Sequence, residues 1–322
     1  MFVFCIESSH QRGLGHLYRS LTLADELKGR GEAVCFAANR HQASHDIILA
    51  RGFDVHGYEL SDEAGSWEPT LVEGIGSAKV WIDDRLNTQA AHAEAVLAAG
   101  LRLVTFDDRG DGAALADLNI AALVFEDIDG LGGRNVYSGV EFMILNPEIG
   151  VHRRQRDGLS SILVTMGGAD TYGVTIRVAE WLRDHSLHAT IVTGPAFQHV
   201  RELKAVLADA AGANLIHLGS VPSLAKEMGR HDLAITGGGV TPFEALAGGL
   251  PCIVIANEEF EIPVGKALEK LGGARFAGHH REFDLSSVFE DLPIGSMSRS
   301  ALKSVDLDGA RRVADLIGGL KL

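Results

Sequence analysis

A chain of 322 residues with 29 basic and 43 acidic side chains carries a formal net charge of −14 at neutral pH, which makes it a poor general partner for nucleic acid or an anionic membrane. Its 46% hydrophobic and 22% charged residues supply enough apolar material for two cores, and no apolar run approaches the roughly 18 residues needed to cross a bilayer. These bounds point to a soluble, cytoplasmic, monomeric protein whose partner is a small molecule. The acid is uneven: residues 1–150 hold 11 basic and 23 acidic side chains and residues 151–322 hold 18 and 20, so the second half is the easier host for an anionic ligand.

The opening residues, MFVFCIESS, have no basic lead and no cleavage site and read as a first strand. FVFCIE, AVCFAA, KVWIDD, LRLVTF and AALVFE follow one another through the first half, apolar on both faces as parallel strands covered by helices must be. Between the first two, Leu17, Leu21, Ala24 and Leu27 make one helical stripe that Gly31 ends. SILVTM, ATIVTG, NLIHLG, LAITGG and PCIVIA repeat the plan in the second half. The polar, basic stretch NPEIGVHRRQRDGLSS reads as a linker, dividing the chain into domains 1–152 and 153–322, the second ending in a closing helix near 306–319. The predicted fold is α/β, two Rossmann-like doubly wound domains facing a cleft that holds the ligand at the C-terminal edges of their sheets. Cys5, Cys35 and Cys252 lie in apolar runs without disulfide or metal-ligand spacing and are expected as buried strand residues.

Three glycine loops carry the chemistry. Gly13-Leu14-Gly15-His16 joins the first strand to the first helix, but Tyr18 stands where a dinucleotide fingerprint needs glycine, and neutral Asn39 closes the second strand. His16 at the helix start is either a general base or a plain cap; the dipole there favours the neutral imidazole that a base requires. Gly237-Gly238-Gly239-Val240-Thr241-Pro242-Phe243-Glu244 offers amides and a hydroxyl to a phosphate, with Glu244 placed to accept ribose hydroxyls; the alternative is a tight turn with a solvated Glu. Met166-Gly167-Gly168-Ala169-Asp170 repeats the pattern, and together these loops favour a nucleotide diphosphate on the second domain. Asp83, Asp84, Asp107 and Asp108 end two strands and either hold magnesium or cap helices. The remaining histidines, including His279 and His280, have no metal-ligand spacing and read as surface or loop residues, so neither metal nor cofactor is expected.

GLGHLYRSLTLADEL resembles the opening of the UDP-sugar hydrolases of pseudaminic acid biosynthesis, which cleave UDP-2,4-diacetamido-2,4,6-trideoxy-β-L-altropyranose to free sugar and UDP. GVEFMILNPEI, LVTMGGAD, DLAITGGGVTPFEALAGGLPCIVIANE and DLDGARRVADLI resemble later segments of that family, so the likeness spans nearly the whole chain. The second-domain motif is shared with MurG-like glycosyltransferases of the two-Rossmann B-type fold. The resemblance implies that His16 is catalytic, that Gly238, Gly239, Thr241 and Glu244 hold UDP, and that no metal takes part. The full expected nucleotide- and substrate-binding set is Gly13, Gly15, Arg19, Gly167, Gly168, Val221, Gly238, Gly239, Thr241, Glu244 and Asn257, with Glu7 and Asp83 facing the sugar. Two segments depart from the family: Cys5-Ile6-Glu7-Ser8-Ser9 replaces a stretch with Arg and Asp, and Glu258 follows Asn257 where Gln is usual. The implied activity is hydrolysis of a UDP-linked diacetamido-trideoxyhexose for nonulosonic acid synthesis and flagellin glycosylation. The alternative is an inverting glycosyltransferase using the same donor.

Overall fold

In the computed structural model, residues 1–7, 15–85, 87–123, 130–209 and 214–320 are described. The chain divides into two compact units, Met1–Ile144 with Asp308–Leu322, and Leu145–Leu307.

The first unit runs β1 (Phe2–Ile6), α1 (Gly15–Gly29), β2 (Val34–Asn39), α2 (Gln42–Ala50), β3 (Asp54–Tyr58), α3 (Glu68–Ile75), β4 (Val80–Asp84), α4 (Ala90–Ala98), β5 (Arg102–Phe106), β6 (Leu118–Ala121) and β7 (Val136–Ser138). Its seven parallel strands lie in the order β3-β2-β1-β4-β5-β6-β7. The order reverses between β1 and β4, the position where α/β sheets leave room for a ligand. Strand alternation explains the apolar runs: Phe4, Ile6, Val80 and Ile82 pack with α1 on one face, while Val3, Cys5 and Trp81 pack with Ala93 and Val96 of α4 on the other. The edge strands β3 and β7 are partly exposed, so no continuous apolar run announces them. The strand predicted at AALVFE is instead β6, four residues long and ending at Ala121. It contains Asn119, whose amide donates to the carbonyls of Asp108 (3.2 Å) and Gly132 (2.9 Å), and this polar residue hides the strand.

The second unit runs α5 (Ile149–His152), β8 (Ile162–Thr165), α6 (Val174–Asp184), β9 (Ala189–Ile191), α7 (Val200–Ala208), β10 (Leu215–His217), α8 (Leu224–Arg230), β11 (Leu233–Gly237), α9 (Thr241–Ala247), β12 (Cys252–Ala256), α10 (Ile262–Lys270), β13 (Ala274–His279), β14 (Glu282–Phe283), α11 (Leu285–Phe289) and α12 (Ile294–Ser304). The order β10-β9-β8-β11-β12-β13-β14 repeats that of the first sheet, with only the β13–β14 pair antiparallel. The stretch predicted as a linker is packed structure. Arg156, 1% exposed, donates to the carbonyls of His231 (3.1 Å), Arg154 (2.7 Å), Met228 (2.9 Å) and Gly248, stapling the ends of α8 and α9. Burial pulls the Arg156 guanidinium down to about 10.

The closing helix, α13 (Gly309–Gly318), belongs to the first unit rather than the second. Val313, Ala314 and Ile317 join the core formed by Leu17, Leu21, Ala24 and Leu27 of α1, and Arg30 holds Asp315 at 2.7 Å. Only glycine fits at position 309, where a Cβ would fall 1.9 Å from the Met143 carbonyl oxygen. The three cysteines are buried in β1, β2 and β12, as expected. Among the described residues no helix is long and apolar enough to cross a membrane.

Candidate active site

In the first unit the site grows from the C-terminal edge of β4. Asp84 and Asp83 are neighbours on a strand and therefore point to opposite faces. Asp84 meets α1: His16 Nδ1 donates to Oδ1 (2.5 Å), Arg19 donates from Nε to Oδ2 (2.8 Å) and from Nη2 to Oδ1 (2.5 Å), and the Ser20 hydroxyl donates to Oδ2 (3.2 Å). Arg19 also donates from Nη1 to Asp107 and lies 5.0 Å from the Phe106 ring centroid. Burial pushes the Asp84 carboxyl up, but the Arg19 charge, with the contacts from His16, outweighs it and holds it well below the usual carboxylate range. Burial likewise disfavours the Arg19 charge, and Asp84 and Asp107 more than offset this.

With its Nδ1 proton committed to an ionised carboxylate, His16 keeps its lone pair on Nε2, and its side chain is 19% exposed. A histidine oriented in this way can accept a proton at Nε2 while the carboxylate steadies the imidazolium that forms. Arg19 was expected to bind nucleotide or substrate. Its guanidinium nitrogens are occupied by Asp84 and Asp107, so it serves the His16 site as a support. Gly15 is the first residue of α1, with open space where a Cβ would stand, and Gly13 lies outside the described residues.

On the opposite face Asp83 is fully buried and cannot face a sugar. It accepts from Trp81 Nε1 (2.8 Å) and from His92 Nε2 (3.0 Å), and Thr88 Oγ1 lies at 3.2 Å. His92 Nδ1 in turn donates to Glu68 Oε1 (2.6 Å). Burial disfavours the His92 charge, but Asp83 and then Glu68 raise it to about 9. The four aspartates proposed as a magnesium site do not converge: Asp84 and Asp107 hold Arg19, while Asp83 and Asp108 flank Thr88 on the other face. Among the described residues Cys5, Asp83 and His92 have metal-ligand proximity. There, however, both His92 nitrogens and both Asp83 oxygens already have protein partners. Glu7, half-buried at the end of β1, pairs with Arg85 at 2.7 Å from Nε.

In the second unit the candidates gather at the ends of β8, β11 and β12. Two of the three glycines at the end of β11 answer to internal packing: a Cβ at Gly237 would sit 2.8 Å from Asn257 Nδ2, and one at Gly238 would sit 2.7 Å from Glu261 Cβ. Gly239 is open, with only Glu261 Oε1 at 3.9 Å, and a Cβ on Gly168 would meet nothing within 4 Å. Gly167 is equally open, and these three are positions a ligand can approach closely.

Thr241 begins α9, and Glu244, one turn in, is partly buried with no side-chain partner among the described residues. Burial raises the Glu244 carboxyl to about 7. The amides opening α6 are not free for a phosphate: Asp170 accepts those of Val174 and Thr175, both at 2.8 Å. Val221 lies half-buried in the loop between β10 and α8.

Sequence reading missed Glu261. Its carboxylate accepts the amides of Asn257 (2.6 Å), Glu258 (3.4 Å) and Gly238, tying the β11 loop to the β12 loop. No local pattern flags it, because its partners come from two separate turns. His280 is also more than a loop residue: it stacks on Tyr172 (3.8 Å between centroids) and donates from Nδ1 to the Asn257 carbonyl (2.7 Å). The Tyr172 hydroxyl donates to Glu258 Oε1 (2.9 Å).

No protein-family model matches the chain. The spore coat polysaccharide biosynthesis protein SpsG of Bacillus subtilis is 22% identical over 98% of this chain and 96% of its own length. An uncharacterized protein of Methanocaldococcus jannaschii is 26% identical over 79% of this chain. The match covers 55% of that relative, so the chain spans about half of its length. Among solved structures, MurG of Acinetobacter baumannii superposes with a TM-score of 0.72 at 15% identity over 99% of both chains. HepE of Anabaena, solved with UDP and glucose, does so with a TM-score of 0.65 at 17% identity, again over 99% of both. The chain therefore has the fold of the MurG-like, B-type glycosyltransferases, two Rossmann-like α/β units with parallel sheets.

Proposed function

We propose that the chain is an enzyme acting on a UDP-sugar, with His16 as general base in breaking the bond between the anomeric carbon and UDP. The observation that carries this is the His16–Asp84–Arg19 arrangement at the switch point of the first sheet, which leaves one basic nitrogen oriented and partly exposed. UDP is assigned to the second unit. Its pyrophosphate would approach Gly168, Gly239 and Thr241, and its ribose hydroxyls would donate to Glu244. HepE, which shares the fold, was solved with UDP and glucose. In the reaction, His16 Nε2 takes a proton from water as the oxygen attacks C1 and the C–O bond to UDP breaks, the electron pair leaving with the diphosphate. General base assistance of this kind contributes typically 10²–10⁴-fold.

The likeness of the opening motif to the pseudaminic acid hydrolases makes free diacetamido-trideoxyhexose plus UDP the preferred products. Transfer to an acceptor hydroxyl, deprotonated by the same His16, is the second reading, and the MurG likeness in fold favours it. The deciding experiment is UDP release from UDP-2,4-diacetamido-2,4,6-trideoxy-β-L-altropyranose without acceptor, with EDTA present, beside a His16→Ala variant. Release that depends on His16 and ignores the chelator supports hydrolysis. UDP binding without release moves the search to acceptors, and release unchanged by His16→Ala removes His16 from the mechanism.

A further inference from the structure

Asp107 follows β5 directly and is buried, with its backbone in the left-handed region at φ 49°. A residue with a Cβ holds that conformation only where its surroundings fix it. Here both its backbone and its side chain are tied to the neighbouring β6 segment. The Asp107 amide donates to the Ile120 carbonyl in β6 (2.8 Å), and Oδ1 accepts the amide of Leu123 just beyond that strand (2.8 Å). The other oxygen, Oδ2, accepts from Arg19 Nη1 of α1.

Two aspartates thus grip different edges of one guanidinium. Asp84 takes Nε and Nη2 while Asp107 takes Nη1, so the plane of Arg19 is set from both sides and its fork meets both oxygens of Asp84. Asp84 in turn fixes the His16 ring through Nδ1. A continuous line of hydrogen bonds therefore runs from the Leu123 amide through Asp107, Arg19 and Asp84 to the His16 imidazole.

Charge gives this line a second consequence. Arg19 Nη2 lies 3.5 Å from His16 Nδ1, so the guanidinium opposes a proton on the ring. Asp84 alone would only cancel that charge. With Asp107 the buried group of two carboxylates and one guanidinium carries one net negative charge, which the imidazolium formed in the reaction brings to zero.

We propose that Asp107 is a positioning residue for His16 that acts through Arg19, holding the guanidinium against Asp84 and supplying the second negative charge that the imidazolium balances. This rests on the reading of His16 as general base. Asp107→Asn suits the same left-handed backbone and nearly keeps the shape, but removes the charge. UDP release from the diacetamido sugar nucleotide is followed from about pH 5.5 to 9 for the wild type, Asp107→Asn, His16→Ala and the double variant. UDP affinity is measured by calorimetry, and folding by circular dichroism. Asp107→Asn should lower kcat about 5- to 30-fold, the range for one charge removed across a partly shielded site. KM and UDP affinity should stay within about twofold of wild type. The acid limb of the kcat profile should move to lower pH, because the ring loses a counter-charge. In the His16→Ala background the same change should cost less than about twofold. Asp107→Gly, which also accepts this φ, takes the place of Asp107→Asn if the latter does not fold.

A folded Asp107 variant with wild-type kcat and an unmoved acid limb, or one with an equal loss in the His16→Ala background, overturns the Asp107 assignment alone. So does the failure of both variants to fold, which makes Asp107 a turn residue only. Wild-type protein that releases no UDP, or releases it as fast without His16, overturns the general-base reading and this one with it.

Discussion

Asp84→Asn separates orientation from bulk in the His16 site. The carboxylate accepts from His16 and Arg19 on Oδ1, and from Arg19 and Ser20 on Oδ2. An asparagine has one acceptor oxygen: placed toward His16 it sets its amide against Arg19 Nε, and turned the other way it presents N–H to N–H at His16. A charge-assisted hydrogen bond is worth about 1.5–3 kcal/mol, so losing the charge opposite the developing imidazolium should slow turnover by about 10- to 150-fold. Arg19 keeps Asp107 but loses its larger counter-charge, and breaking a buried pair costs about 3–5 kcal/mol of stability, visible as a lower Tm. The assay is UDP release with kcat and KM resolved, on wild type, His16→Ala, Asp84→Asn and the double variant. If Asp84 acts through His16, Asp84→Asn removes little further activity once His16 is gone, giving a large coupling in the cycle. An undiminished Asp84→Asn penalty in the His16→Ala background would refute the orienting role, as would a single variant with wild-type kcat.

The raised Glu244 carboxyl gives UDP binding a pH dependence. The group keeps its proton up to about 7 in the folded protein, and only the ionised form accepts from both ribose hydroxyls with both oxygens and with the stronger, charge-assisted bonds, so affinity should rise from pH 5.5 to 8. Glu244→Gln should bind more weakly and flatten that profile in calorimetry; a parallel slope in the variant would refute the ribose assignment. Glu261→Gln presents an amide donor to one of the three backbone amides it now joins. It should weaken UDP binding about tenfold or more while the thermal transition stays cooperative. Gly194→Ala places a Cβ 2.2 Å from the Gly168 carbonyl, so the 167–170 loop must move; UDP affinity should fall sharply, and unchanged affinity would separate that loop from the ligand. His92 is raised to about 9, so its stabilising charge is present below the ordinary histidine value near 6.5 and is lost as pH rises through about 9. Urea denaturation should show stability falling from pH 7 to 10, and His92→Leu should lose about 3–5 kcal/mol and that slope together.

Much of the frame was legible in the sequence because it is local. An apolar run on both strand faces names a buried parallel strand, as in FVFCI, and glycine before a helical stripe puts His16 at the start of α1. The same periodicity cannot see a strand whose outer residues meet solvent, such as β3, or one with a satisfied asparagine inside, such as β6. It also cannot say which of two adjacent aspartates meets the catalytic candidate. Asp84 rather than Asp83 does so because successive strand residues face opposite sides and α1 covers one of them, and its partner Arg19 is 65 residues away.

The remaining decisions belong to tertiary structure for the same reason. Arg156 looked like part of a polar linker until the carbonyl ends of α8 and α9 converged on it. Helix α13 looked like the end of the second domain, yet its stripe of Val313, Ala314 and Ile317 completes the core of the first. Glu261 carries no signature because its three amide partners lie on two turns that only the folded sheet brings together. Sequence determined which elements form, through spacing along one helix or strand. Tertiary structure decided which charges pair, because burying a charge is tolerable only beside its partner, and those partners are supplied by distant segments.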